Sequence, residues 1–288
     1  MRRWALSIFV LTALGCSGAA LNGTPSTSEA TRPATTPKPT GQAELTLLSW
    51  NVEWLDVAGQ GMVPRSAAEL QEMAQVIRSA QPDVVVLQEV ASEEAARALL
   101  PKGDWQLAVE DRSDDQRVVV AVRQGLAFER RADLRPLAVG NPGLRHGVDV
   151  QVQTAAGPVR VLGVHLKAGC QWDPFDSSQE CGTLERQAAV LETWTDARAT
   201  EGVPMVVVGD FNRQMHAQDP FYLAVSDGEP AGLHLSLGPT KDAQCEPKRR
   251  HPIDHLLVSG ARVGESRQIP LQQPPLSDHC PIVATLEL

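Results

Sequence analysis

Five short aliphatic runs limit what this chain can become. They fall at residues 45–50, 83–87, 158–164, 205–208 and 253–258. Val84-Val85-Val86-Leu87 and Met205-Val206-Val207-Val208 are apolar at consecutive rather than alternate positions. A strand of that kind is buried on both faces, so its sheet must be covered on both sides. Helical patterns separate the runs. Ser66 with Glu69 makes a capping box ahead of Leu70, Met73, Ala74 and Ile77 on one helical face. Pro82 ends that helix, and Asp83 after it reads as a strand-start residue. Ser92 with Glu93 and Glu94 starts a short helix reaching Leu100. Leu184, Ala188, Leu191 and Thr195 mark another. Further strands are predicted at about 105–110, 117–122, 147–153, 263–269 and 280–287. Strands outnumber helices, which favours an α/β chain with two sheets packed together and helices outside.

The front of the chain does not belong to this fold. Arg2 and Arg3 precede an apolar stretch from Trp4 to Leu14, too short to span a membrane and suited to an export signal. It ends Thr12-Ala13-Leu14-Gly15-Cys16, which resembles a bacterial lipobox with Cys16 as the lipidated residue. Residues 17–43 are rich in Ser, Thr, Pro, Ala and Gly and read as a disordered tether. This divides the chain into a signal (1–16), a linker (17–43) and one large domain (44–288). The expected location is exported and membrane-anchored through lipid, or secreted. An oxidising compartment and four further cysteines suggest two disulfides. Of three possible pairings, Cys170–Cys181 closes a short polar loop and Cys245–Cys280 ties a loop to the last strand, and these are favoured. The net charge of −9 advertises no strongly basic field for nucleic acid. It does not exclude nucleic acid, because a divalent metal and a few local cations can hold a phosphodiester.

Each strong strand ends or opens in polar residues of a restricted kind. These are Asn51-Val52-Glu53, Gln88-Glu89, His165-Leu166-Lys167, Gly209-Asp210-Phe211-Asn212, Asp254-His255 and Asp278-His279. Buried carboxylates are costly unless paired or metal-bound. Hard oxygen donors suit Mg²⁺ or Mn²⁺, with Ca²⁺ as an alternative, and the absence of a Cys-x-x-Cys or His-x-x-x-His spacing speaks against zinc. A hard ion with histidines nearby suits phosphate-ester hydrolysis. Against this, Asp210 and Asn212 also suit a plain turn, and His165 a satisfied core position. His255 follows Asp254 on a strand, points to the opposite face and reads as structural.

Taken together, Trp50-Asn51-Val52-Glu53, Gln88-Glu89, Gly163-Val164-His165-Leu166, Gly209-Asp210-Phe211-Asn212, Ile253-Asp254-His255 and Ser277-Asp278-His279 resemble the endonuclease/exonuclease/phosphatase superfamily. The resemblance covers residues 44–288. It implies a deoxyribonuclease I-like four-layer α/β sandwich of two packed mixed sheets flanked by helices. By resemblance, Glu89 binds the metal with help from Asn51, and Asp278 is a further metal-side aspartate. Asp210 and Asn212 position water and the scissile phosphate. His279 is the essential histidine and Asp254 orients it. Glu53 stands where many members have aspartate, at the substrate side. A finer resemblance to secreted deoxyribonucleases makes Glu110 the partner of His165 and Arg145 a phosphate contact.

The leading expectation is an exported, monomeric, metal-dependent phosphodiesterase acting on DNA or RNA. The alternatives are a sphingomyelinase-like lipid phosphodiesterase, a phosphomonoesterase, and an inactive binding module on the same fold. Trp172 and Phe175, inside the expected disulfide loop, suit packing, bilayer insertion or base stacking. Lys248-Arg249-Arg250-His251 suits either a solvated charge run or a phosphate-tracking patch.

Overall fold

A computed structural model describes residues 43–230, 233–238, 252–272 and 275–288. The expected signal with Cys16, nearly all of the tether, Cys245 and the run from Lys248 to His251 lie outside the described residues. No helix among the described residues is long and apolar enough to cross a membrane.

Among the described residues, twelve strands form two six-stranded sheets. The first sheet is built from β1 (Glu44–Leu55), β2 (Val84–Val90), β3 (Trp105–Val109), β4 (Arg117–Arg123), β11 (Arg262–Gln268) and β12 (Ile282–Glu287), in the order β11-β12-β1-β2-β4-β3. The second contains β5 (Phe128–Arg130), β6 (Val148–Thr154), β7 (Gly157–His165), β8 (Met205–Asp210), β9 (Ser236–Gly238) and β10 (Asp254–Ser259), in the order β5-β6-β7-β8-β10-β9. Each sheet has one parallel pair at its centre, β1 with β2 and β7 with β8, and is antiparallel elsewhere. Both sheets are therefore mixed, and they share one pattern of strand directions although the sequence shows no repeat.

Parallel neighbours need a crossover, and the helices supply it. Helix α1 (Ala67–Ser79) joins β1 to β2, and α3 (Gln179–Glu201) joins β7 to β8. The Ser66–Glu69 capping box forms as expected. Ser92 caps α2 (Glu93–Leu99), and Ser178 caps α3. Helix α1 stops at Ser79, before Pro82. Asp83 does more than start a strand. Its Oδ2 accepts from the Thr46 amide at 3.0 Å and its Oδ1 lies 3.6 Å from Arg123 Nε.

The layering follows from which face each side chain takes. Leu47, Val84, Val86, Val120, Val148, Val161, Val206 and Leu256 fill the space between the sheets. Their neighbours Leu48, Val85 and Leu87 face outward onto Leu70, Met73, Ile77 and Ala96 of α1 and α2. On the far side Leu162, Val164 and Val207 meet Leu184, Ala188 and Leu191 of α3. The order is helices, sheet, sheet, helices. Each such side chain, taken from water to full burial, contributes roughly 1.5–3 kcal/mol.

Four short elements escape the sequence patterns: β5, β9, α4 (Pro220–Val225) and a 3₁₀ turn at Arg135–Ala138. The last strand begins at Ile282 rather than Cys280, so Asp278 and His279 sit in the loop before it.

Candidate active site

Because β1–β2 and β7–β8 are parallel, their C-terminal ends lie together within each sheet. Register places Asn51 opposite Gln88, and His165 opposite Asp210. The antiparallel β10 brings Asp254 opposite Asp210. The polar residues at strand ends are thus gathered at one edge of the fold, the usual place for a ligand in open α/β sheets.

Two glycines make this edge possible. A Cβ on Gly163 would lie 2.8 Å from a Val120 methyl and 2.9 Å from one of Val86, so the sheets approach closely beneath His165. Gly209 has φ near +150°, and a Cβ there would lie 2.0 Å from the Val164 carbonyl oxygen. Glu53, Trp54, Glu89 and Asn212 adopt left-handed backbone with φ of 50°, 54°, 63° and 53°. Such conformations cost on the order of 1–3 kcal/mol each and gather at functional sites. At Glu89 the strain coincides with a break in register between Leu87 and Val90. That break turns the carboxylate toward the site instead of the sheet face.

Asn51 is the hub. Its Nδ2 donates to Glu89 Oε1 and to Asp210 Oδ2, both at 3.1 Å. Its Oδ1 accepts from the Glu53 amide at 3.0 Å. The Trp54 amide donates to Glu89 Oε2 at 3.2 Å. Two carboxylates therefore face one neutral nitrogen. Asp210 also accepts from the Asn212 amide at 2.7 Å, and Asn212 Nδ2 donates to the Leu166 carbonyl at 3.2 Å. Burial raises the Asp210 carboxyl to about 6, with the nearby His279 charge pulling the other way.

His279 Nδ1 lies 2.7 Å from Asp254 Oδ2, with both side chains almost fully buried. Burial opposes charge on the ring, but the carboxylates of Asp254 and Asp210 outweigh it and raise the imidazole to about 10. His279 is accordingly an imidazolium at neutral pH. It donates from Nδ1 to Asp254 and turns Nε2 toward Asp210 Oδ2 at 3.9 Å. The expected Asp254–His279 pair is present in the structure.

Other expectations need correction. Glu110 does not meet His165. Its Oε1 accepts from Arg112 Nε at 2.9 Å and from the His146 amide at 2.7 Å, and its Oε2 accepts from the Val118 amide at 3.1 Å. The physical cause is Arg112, two residues on, which turns back over the carboxylate. His165 Nδ1 has no hydrogen-bond partner, while Nε2 lies 3.5 Å from Asp210 Oδ2 and 3.9 Å from Glu89 Oε1. Burial, reinforced by the charges of Arg145 and His279, holds the ring well below the usual histidine range, so it is neutral. Arg145 is buried, with Nε donating to the His165 carbonyl at 3.2 Å and Nη2 to that of Leu166 at 2.7 Å. It braces the end of β7 and lies close enough to feel the charges of Asp210 and Glu89. His255 is structural as expected, its Nε2 lying 2.9 Å from the Arg213 carbonyl.

Glu53 and Asp278 form the rim. The Asp278 amide donates to Glu53 Oε2 at 3.3 Å, and the exposed Asp278 carboxylate lies 3.8 Å from His279 Nε2. Burial and the Asp278 charge raise the Glu53 carboxyl.

Three supporting residues were missed by sequence reasoning. Ser277 Oγ donates to the Asn51 carbonyl at 2.7 Å and accepts from the His279 amide at 3.1 Å. Trp50 Nε1 donates to the His279 carbonyl at 3.0 Å. Arg65 donates to the carbonyls of Glu53 (2.8 Å) and Leu276 (3.0 Å). Together they hold the His279 loop against the end of β1. The adjacency of Trp50 to Asn51 and of Ser277 to Asp278 was the available signal.

Among the described residues, two groups of side chains have ligand atoms within 4.8 Å of one another, as an ion would need: Asp210, Asp254 and His279, and separately Asp111, Asp133 and His146. In the first, Asp254 and His279 already bind each other. In the second, Asp111 pairs with Arg135 and His146, and Asp133 with Arg130.

The Cys170–Cys181 disulfide is formed. Cys280 is disulfide-bonded too, and Cys245, its expected partner, lies outside the described residues.

The fold recurs in solved structures. An endonuclease/exonuclease/phosphatase from Bacteroides vulgatus matches with a TM-score of 0.60 at 17% identity, over 85% of this chain and 99% of that one. One from Beutenbergia cavernae DSM 12333 matches at 0.58 and 22%, over 85% and 72%. D. rerio TDP2 complexed with single strand DNA product matches at 0.60 and 16%, over 86% and 100%. No curated protein sequence matches. At these identities the structures speak for the fold alone, a deoxyribonuclease I-like sandwich. The sequence itself goes further, since the family model described as "Endonuclease/Exonuclease/phosphatase family" matches residues 48–279, from the first core strand to the buried histidine. A match spanning most of the chain and both halves of the site places this protein in the endonuclease/exonuclease/phosphatase family.

Proposed function

We propose that this chain is a metal-dependent phosphodiester hydrolase that cleaves DNA or RNA by in-line attack of water on phosphorus. One observation carries the reading. The buried Asp254–His279 pair converges with Asp210, Asn212, Glu89 and Asn51 at one strand edge. All six polar clusters of the sequence are retained, which disfavours a binding module that has lost its chemistry.

The donors fit a hard divalent ion. They are carboxylate and amide groups without thiolate; Glu89 and Asp210 share a single neutral amide nitrogen, and Glu53 and Asp278 add carboxylates at the rim. Glu89 and Asn51 would hold Mg²⁺ or Mn²⁺, with Asp278 nearby at the rim. When bound, such an ion neutralises phosphate charge and stabilises the leaving oxygen. Asp210, its carboxyl raised to about 6, is suited to orient water and take its proton near neutral pH. The Asn212 amide beside it can hold an equatorial oxygen. His279, charged and fixed by Asp254, opposes the charge that develops on the phosphate. The imidazolium form favours charge stabilisation over proton abstraction for this residue. Neutral His165 adds a dry wall next to Asp210.

The test is a substrate panel of plasmid DNA, RNA, sphingomyelin and an inositol phosphate, with and without chelator. Cleavage of nucleic acid restored by Mg²⁺ or Mn²⁺ supports the reading. Hydrolysis of sphingomyelin or a phosphomonoester alone would replace it with one of the alternatives. We also propose that the chain is exported and lipidated at Cys16. The Cys170–Cys181 disulfide supports export, and radiolabelled palmitate incorporation lost in Cys16→Ser tests the anchor.

A further inference from the structure

Three large apolar side chains stand out as exposed among the described residues: Met62 at 74%, Trp172 at 66% and Leu223 at 51%. Trp172 lies on the loop that leaves β7 directly after His165. The structure separates the two aromatics of that loop. Phe175 packs against the core beneath α3, with the Arg213 guanidinium 5.2 Å from its ring centre. Trp172 joins none of the three core clusters.

The backbone that carries Trp172 is held on both sides. The Cys170–Cys181 disulfide closes the loop. Arg213, buried and paired with Asp219, donates from Nη1 to the carbonyls of Cys170 (3.2 Å) and Asp173 (2.9 Å). The Gln214 amide donates to the Gln171 carbonyl at 2.8 Å. Arg213 and Gln214 are the first and second residues after Asn212. The backbone that carries the indole is therefore pinned, through Arg213 and Gln214, to the strand end that bears Asp210 and Asn212. A large aromatic on a preorganised loop loses little freedom when it binds.

We propose that Trp172 stacks on an unpaired base next to the scissile phosphate, making the preferred substrate single-stranded or frayed nucleic acid. This rests on the phosphodiesterase reading above. One observation favours a base over a bilayer. Trp172 is the loop's one well-exposed large apolar side chain. Insertion beside lipid headgroups scales with buried apolar area, whereas stacking needs the face of only one indole. Lys167, between His165 and Trp172, has an exposed ammonium beside the Ala168 carbonyl, which suits the phosphate adjoining a stacked base.

The experiment compares kcat/KM of the full chain with Mn²⁺ on a single-stranded oligonucleotide and on methyl p-nitrophenyl phosphate, a diester without a base. In Trp172→Ala the ratio of the two should fall about 10–100-fold, as loss of one aromatic–base stack implies. The loss should appear mainly in KM, and Trp172→Phe should restore most of it. An oligonucleotide abasic beside the cleaved phosphate should show the same loss in the wild type, with Trp172→Ala adding nothing. An unchanged ratio overturns the stacking role. An unchanged ratio together with lost binding to phosphatidylcholine–phosphatidylglycerol vesicles assigns the indole to a membrane instead. A wild type that hydrolyses neither substrate refutes the phosphodiesterase reading itself and the stacking role with it.

Discussion

Replacing Asp254 with Asn should remove a pH-dependent part of the protein's stability. His279 rises from an ordinary 6.5 to about 10 in the fold, which at about 1.4 kcal/mol per unit is worth roughly 5 kcal/mol in total. Asp210 and Asp278 share in that shift, so Asp254 accounts for about 2–4 kcal/mol, in line with the cost of breaking a buried pair. The pair is too buried for solvent to screen it. Because the folded value lies above the unfolded one, the stabilisation is fully present below pH 6.5. It fades as pH rises toward 10. Urea unfolding in chelator at several pH values measures it. The stability difference between wild type and Asp254→Asn should be largest at acid-to-neutral pH and should shrink or reverse by about pH 10, since other titrating groups cancel in the difference. A difference that does not vary with pH would refute the charged pair.

Three further outcomes follow from the site. In metal-free protein, Mg²⁺ or Mn²⁺ at about a hundred times its Kd should stabilise the wild type by roughly 2.7 kcal/mol, measured as a rise in Tm, and Glu89→Ala should lose most of that rise. Glu89→Gly should be more stable than Glu89→Ala by about 1 kcal/mol in chelator, because only glycine adopts the left-handed backbone at no cost, and equal stabilities would show that the backbone there is unstrained. Glu110→Gln and His165→Ala should act additively on kcat, since Glu110 binds Arg112 and not His165, and strong non-additivity would restore the deoxyribonuclease-like pair.

What was legible in the sequence was what depends on local pattern. The consecutive aliphatic runs announced doubly covered strands, and Ser66 with Glu69 announced a helix start. The polar residues at strand ends announced an edge where chemistry collects, and Asp254 and His279 meet as expected. Partnerships set by tertiary geometry were not legible. Glu110 is diverted by Arg112, whose return over the carboxylate no spacing reveals. Arg145 donates to carbonyls at the end of β7, a tertiary contact that no local pattern marks. The left-handed backbone at Glu89 reflects a break between β2 and β4 that has no glycine to mark it. Strands of three residues, such as β5 and β9, are too short to carry a period. The matching strand directions of the two sheets leave no trace in sequence, since each sheet needs only buried aliphatics and a crossover.

The central claim is that charged His279, held by Asp254 beside Asp210, drives a metal-dependent phosphodiester cleavage. The direct measurement is single-turnover hydrolysis of a nucleic-acid substrate by chelated protein before and after Mn²⁺, in the wild type and in His279→Ala shown folded by circular dichroism. The account predicts activity only after metal is restored, and a loss of about a thousandfold or more in His279→Ala, within the range that a group stabilising transition-state charge supplies. Full activity in excess chelator, or near-normal turnover in His279→Ala, would contradict it.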